Sequence, residues 1–170
     1  NINFNIFIRT ILITFSFLWF TYLSSKMGED FLAANSILLQ FIIFAAFLLD
    51  AYAFSTEGVV GYAVGRKVKK SFILAVSNCF QLSFFTSVII SLIYLLFFKE
   101  IINLLTNIDY IRFLAFEYLI WIFFIPPLAS FCYQFDGIFI GASQSAEIRN
   151  SAIISVSLYV LISIFLLERM

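Results

Sequence analysis

Residues 31–62 read FLAANSILLQFIIFAAFLLDAYAFSTEGVVGY, an apolar run interrupted by only two charged side chains, Asp50 and Glu57. A helix needs about 20 such residues to cross the hydrocarbon core of a bilayer. The rest of the chain resembles this run. Of its 170 residues, 63% are hydrophobic and 12% charged, whereas soluble domains carry about 25% charged residues. The composition therefore predicts an integral membrane protein with the lipid bilayer as its main partner.

This run is one of five apolar stretches that are long enough to span a bilayer. They lie at about 4–23, 31–62, 72–98, 111–139 and 150–167. We call them spans A to E. Lipid cannot satisfy the backbone groups of open strands, so the expected fold class is all-α, a polytopic transmembrane helix bundle. Arg9 interrupts span A and no small-residue cleavage site follows it, so span A does not resemble a signal peptide. Residues 100–109 are too polar to span and are expected at the membrane interface.

The charges between the spans predict the orientation of the chain. The loop after span B carries Arg66, Lys67, Lys69 and Lys70 and no acid, whereas the loop after span A has one lysine and two acids. Lysine and arginine concentrate in cytoplasmic loops. We therefore expect a cytoplasmic N-terminus and place Met170 outside. The odd number of spans suggests that a sixth helix is missing.

The composition argues against several classes of function. The chain has no histidine and a formal net charge of zero, and its two cysteines, Cys79 and Cys132, lie in separate apolar runs without metal-ligand spacing. Serine or zinc catalysis would need histidine, and no glycine-rich phosphate loop is present. Nucleic-acid binding would need a basic excess. We expect no enzyme activity, no cofactor, no metal and no nucleic-acid partner.

Charged side chains inside spans are the first candidates for a functional site, because each costs about 2.5 to 3.5 kcal/mol on insertion scales and needs a compensating role. Asp50 and Glu57 lie seven residues apart in span B, on one helix face and about 10 Å apart along the axis. This face favours a proton or cation site, although Glu57 can instead reach the headgroups beside Arg66. Asp136 in span D is a further candidate for the coupling ion or proton. Glu117 is weaker, since it can simply meet water.

Polar side chains inside the spans form a second set of candidates. They either line a substrate path or bond across helices, as polar groups in membrane helices often do. The substrate-path candidates are Gln40, Tyr52, Glu117, Tyr133 and Gln134.

Two prolines and five glycines predict how the helices bend and pack. Consecutive prolines remove two backbone donors, so Pro126 and Pro127 predict a bend that leaves the carbonyls of Ile122 and Phe123 without partners. Broken helices often line transport cavities, although kinks are also tolerated in ordinary membrane helices. Pairs of glycines at GxxxG spacing let helix backbones approach closely. The expected helix-packing glycines are Gly58, Gly61, Gly65, Gly137 and Gly141, of which 61 with 65 and 137 with 141 have that spacing.

Three segments resemble the DinF-like branch of the multidrug and toxic compound extrusion (MATE) transporters. They are AANSILLQF at 33–41, LLDAYAFSTEGVVGYAVGRK at 48–67 and YLIWIFFIPPLASFCYQFDGIFIGASQSAEIRNS at 118–151. The resemblance implies that spans A to E match helices seven to eleven of a twelve-helix, two-lobe transporter. The chain would then be a partial C-terminal lobe in a bacterial inner membrane, lacking the N-terminal lobe and the final helix.

The resemblance also implies a function. MATE transporters export cationic or amphipathic small molecules in exchange for protons or sodium ions, exposing a cavity between the lobes to each face in turn. Asp136 is similar to an acidic position of helix ten, whereas span A lacks the glutamate of sodium-coupled members, so protons are favoured. The alternatives are a non-transporting helical scaffold or the remnant of a broken transporter gene. A channel is less favoured, because the acids are spread over two helices and no filter segment is visible.

Overall fold

The computed structural model describes residues 2–167, and these form helices without any strand. Six helices follow one another: α1 (Ile2–Lys26), α2 (Glu29–Gly65), α3 (Lys69–Leu105), α4 (Asp109–Glu117), α5 (Leu119–Gly141) and α6 (Ser145–Leu167). Five of these helices, all except α4, are long and apolar enough to cross a membrane. The all-α bundle predicted from the sequence is confirmed. Met170 lies outside the described residues.

One of the predicted spans is wrong. Span D is not one helix, because α4 ends at Glu117, Tyr118 leaves helical geometry at φ −98° and ψ 5°, and α5 begins at Leu119. The break has a tertiary cause: α4 buries Ile111 and Leu114 against Ala34 of α2, whereas α5 packs against both α2 and α3. The first half of the segment 100–109 continues α3 to Leu105, and its place at the membrane interface stays a prediction.

Helices α2, α3 and α5 form the centre of the bundle, each packed against the other two. Aromatic rings join α2 to α3, where Phe41 stands 5.1 Å from both Tyr94 and Phe98 between ring centroids. The Tyr94 hydroxyl donates a hydrogen bond of 2.7 Å to the Phe41 carbonyl. The core therefore lies between long apolar helices whose outer faces remain free for lipid.

Helices α1 and α6 form a second layer, in which they pack mainly on each other. Polar side chains join them near both ends. Asn5 donates to the Ser145 hydroxyl at 3.0 Å, and the Trp19 indole donates to the Ser163 hydroxyl at 2.8 Å. This pair contacts the centre through α2 and α5. The α1–α6 pair can thus bring side chains of α1 to the central helices.

Candidate functional site

Charged side chains from three helices meet inside the bundle. The Arg9 guanidinium of α1 donates a hydrogen bond to the Asp136 carboxylate of α5 and forms an ion pair with it. Asp50 of α2 lies within electrostatic range of both partners. Tyr133, one turn before Asp136, lies close enough to interact with all three charges. We call these four half-buried residues, Arg9, Asp50, Tyr133 and Asp136, the charged cluster.

The local sequence explains why α2 and α5 bring their acids together. Gly137, directly after Asp136, lies so close to α2 that a Cβ atom there would overlap the carbonyl oxygen of Ala53. Ala53 is one turn beyond Asp50 on α2. Side chains one turn apart share a helix face, so this close approach aligns the two carboxylates across the interface.

Sequence reasoning found three members of the charged cluster and missed Arg9. Asp50 and Asp136 were expected as coupling candidates and Tyr133 as a substrate-path candidate, and the structure places all three within electrostatic range of one another. Arg9 was noticed only as an interruption of span A. The criterion that selected the acids, a charge inside an apolar span, applies equally to an arginine and would have selected it.

Glu57 lies outside the charged cluster. It is half-buried, two turns beyond Asp50 on α2, and it makes no ion pair among residues 2–167. Arg66, its expected neighbour, donates instead to the Tyr62 hydroxyl at 3.0 Å. The structure therefore brings Asp50 and Asp136 together but not Glu57.

Two of the substrate-path candidates bond across helices. Gln134 is fully buried, and its side-chain oxygen accepts a hydrogen bond of 2.8 Å from the Thr56 hydroxyl. The Tyr52 hydroxyl shares a hydrogen bond of 2.7 Å with the Thr86 hydroxyl of α3. Within this chain, both side chains therefore tie α2 to its neighbours.

The other two candidates lie away from the charged cluster. Gln40 is exposed and borders an apolar groove of about 490 Å³ that also touches Phe44 and Ile93. It precedes Asp50 by ten residues, or about 15 Å of helix. Glu117 is exposed at the last residue of α4.

Comparison with known proteins identifies the family of the chain. The MatE family profile matches residues 6–167, which is nearly the whole chain. The chain belongs to the MatE family. DNA damage-inducible protein F of Escherichia coli strain K12 is 33% identical to it over 156 residues. No solved structure gives a significant match.

The match covers very different shares of this chain and of its relative. It includes 92% of the MatE chain but only 34% of the relative, so the chain spans about a third of that protein's length. The resemblance to MATE transporters seen in the three sequence segments is confirmed. With five apolar helices, the MatE chain is a multi-pass membrane protein of a transporter family, not an enzyme family.

The glycines of the MatE chain divide into packed and open positions. A Cβ atom on Gly141 would stand 2.6 Å from the Glu57 carbonyl oxygen, and one on Gly61 would stand 3.4 Å from the Gly141 carbonyl oxygen. Together with Gly137, these positions let α2 and α5 approach closely, as GxxxG spacing does in membrane helices.

The prediction that Gly58 and Gly65 also pack is wrong within the described residues. Both are exposed, and apart from the chain neighbours and the nearby backbone of α2 itself, no atom of residues 2–167 lies within 4 Å of a Cβ built at either position. The α5 backbone meets α2 along a stripe formed by Ala53, Glu57 and Gly61, and Gly58 lies beside this stripe. Gly65 lies one turn beyond Gly61, which faces Gly141 at the end of α5.

The paired prolines of the MatE chain are accommodated by a side chain of α3. Helix α5 continues through Pro126 and Pro127. Pro127 has no N–H for the carbonyl of Phe123, but the Ser91 hydroxyl donates to that carbonyl at 2.7 Å. The expectation that this carbonyl lacks a partner is therefore wrong. Because a neighbouring helix supplies the partner, the proline pair also links α5 to α3.

Ser91→Ala is expected to lower the free energy of unfolding by about 1 kcal/mol, because it leaves the Phe123 carbonyl without a donor in a buried setting. Thermal unfolding in detergent measures the loss. Pro127→Ala provides the matched background, since it restores a backbone N–H to that carbonyl. Equal destabilisation by Ser91→Ala in both backgrounds would contradict this role.

Proposed function

We propose that this chain forms part of the C-terminal lobe of a proton-coupled antiporter that exports cationic or amphipathic compounds. The observation that carries the proposal is the charged cluster, which places two carboxylates inside the spans of a MatE chain. Ionisable groups at such positions mark proton relays or ion pathways in transporters. Carboxylates that face a cavity also attract a cationic substrate.

The proposed cycle exchanges a proton for a substrate at this lobe. A carboxylate of the charged cluster, Asp50 or Asp136, binds a proton from one side of the membrane. Protonation lowers its attraction for a cationic compound, which then leaves, while deprotonation on the other side restores that attraction. A ligand shifts the balance of two conformations only through its different affinity for each, and here the proton supplies that difference.

We further propose that the chain works with an N-terminal lobe and a final helix of the same transporter. Helices α1, α2, α3, α5 and α6 correspond in this proposal to helices seven to eleven of twelve. The basic loop between α2 and α3 lies on the cytoplasmic side of a bacterial inner membrane, as does the N-terminus. The lobe alone supplies one wall of the substrate cavity and does not transport.

Efflux of an amphipathic cationic dye from cells tests this proposal. Cells that express the chain together with a matching N-terminal lobe are expected to expel the dye, because alternating access needs two lobes that rock against each other. Cells with either part alone are the matched controls and are expected to retain it. Dye efflux by the isolated chain would contradict the need for a second lobe, and retention by the assembled pair would contradict export.

A non-transporting helical scaffold, or the remnant of a broken transporter gene, is the second candidate. The interhelical hydrogen bonds of Gln134 and Tyr52 favour it, since both explain buried polar groups through packing alone. The neighbouring DNA separates the two proposals. An adjoining reading frame with six more spans supports the transporter, and stop codons without such a frame support the remnant.

A further inference from the structure

The two carboxylates of the charged cluster differ in their partners. Asp136 is bonded to Arg9, and this is an ion pair between α5 and α1. Asp50 makes no hydrogen bond and no ion pair with any side chain of residues 2–167, although it is half-buried in the middle of α2. The cluster therefore contains one neutralised acid and one acid without a bonded partner.

The ion pair with arginine favours the ionised form of the first of these acids. The guanidinium group is not deprotonated in proteins, and its N–H groups match the geometry of a carboxylate. Removing one partner of an ion pair inside the bundle leaves an uncompensated charge and is destabilising. Asp136 therefore has little to gain from a proton while Arg9 stays in place.

Asp50, in contrast, has no bonded cation that neutralises its charge among residues 2–167. A carboxylate inside a membrane span needs a proton, a cation or water to offset the loss of solvent. The charged and titratable groups around it are Arg9 from α1, together with Tyr133 and Asp136 from α5. The hydroxyl pair Tyr52 and Thr86 joins α2 to α3 close by along the chain. Since Arg9 is already bonded to Asp136, Asp50 needs a further positive partner.

We infer that Arg9 is a positioning residue that holds Asp136 as a fixed anion, so that Asp50 is the carboxylate that exchanges its proton. This inference rests on the proposed transport function and assigns different tasks to the two acids. A single free carboxylate suits a proton, whereas inorganic cations such as calcium or magnesium gather several oxygen ligands. Arg9 also fastens the α1–α6 pair to the central helices through the same bond.

A double-mutant cycle on the unfolding temperature tests the ion pair and does not require a transport assay. Arg9→Met and Asp136→Asn are each expected to lower the unfolding temperature of the purified chain by roughly 10 °C, because each leaves one buried charge. The double variant Arg9→Met with Asp136→Asn is expected to recover most of this loss. Arg149→Met is the matched control, since Arg149 bonds only to the amide oxygens of Asn5 and Asn150 among the described residues.

The pH profile of dye efflux by the assembled transporter then tests the roles. Asp50→Asn is expected to abolish the pH dependence without a large change in unfolding temperature. The double variant Arg9→Met with Asp136→Asn is expected to keep that pH dependence, even where the rate falls. The exchanged pair Arg9→Asp with Asp136→Arg serves as a second variant, because it retains both charges if the neutral pair does not fold.

The outcomes separate this inference from the proposed function. Additive losses in the unfolding cycle would overturn the assignment of Arg9, as would a pH dependence that survives Asp50→Asn or disappears in the neutral pair. Replacing sodium by potassium at constant pH must leave efflux unchanged, and a loss would overturn the proton as the exchanged ion. A parent transporter that expels no dye would instead overturn the proposed function.

Discussion

Gly137→Val is expected to push α2 away from α5 and to lower the unfolding temperature by roughly 10 °C. The reason is steric. A Cβ atom at this position would overlap the Ala53 carbonyl oxygen and would stand 3.1 Å from the Cβ atom of Thr56. A backbone carbonyl cannot turn aside as the end of a flexible side chain can, so the two helices must separate along their interface.

The matched control for this change is Gly58→Val. Gly58 lies on α2 as well, but it is exposed, and no other helix of the described chain comes within 4 Å of a Cβ built there. The same side chain is therefore added at both sites, once against a backbone and once toward open space. Thermal unfolding of the purified chain in detergent compares them. Equal shifts at the two positions would contradict the close α2–α5 contact.

The separation of the helices should also disturb the charged cluster. Asp136 directly precedes Gly137, so displacing α5 moves its carboxylate relative to Asp50 and Arg9. In the assembled transporter, Gly137→Val is therefore expected to reduce both dye efflux and the unfolding temperature. Gly58→Val does not displace α5, so it is expected to leave both unchanged.

Phe98→Ala is expected to destabilise the bundle by about 3 to 5 kcal/mol, the range for removing a fully buried phenylalanine. Phe98 is 1% exposed, and its ring packs against Phe41 at 5.1 Å and Phe116 at 5.5 Å between centroids. Truncation leaves a cavity where α2, α3 and α4 meet, and these long helices cannot collapse into it without moving other contacts.

Its neighbour Phe97 supplies the control. Phe97 is 52% exposed, so Phe97→Ala removes the same atoms from the outer face of α3, where lipid can fill the space. Chemical denaturation in mixed micelles measures the free energy of unfolding for both variants. Losses of similar size would show that α3 is rotated differently about its axis.

Particular residues show which features of the structure could be predicted from the sequence and which could not. Asp50 and Asp136 were identifiable because a charge inside an apolar run can be recognised without knowing how the helices pack. The break at Tyr118 was not, since a single charge such as Glu117 does not by itself end a helix, and α4 departs because Ile111 and Leu114 bury against Ala34. The donor to the Phe123 carbonyl was equally hidden, because Ser91 lies 32 residues away.

The amino-acid sequence was enough to predict that this chain is a membrane-embedded helical bundle with acids inside its spans. Those properties are sums over neighbouring residues, namely the length of each run, its hydrophobicity and the charges that interrupt it. The tertiary structure was needed to show that Arg9 pairs with Asp136 while Asp50 has no ion pair among residues 2–167. It also decided which glycines meet a backbone. These features depend on which helices are neighbours and on how each is rotated about its axis, and both are set by packing between residues far apart in the chain.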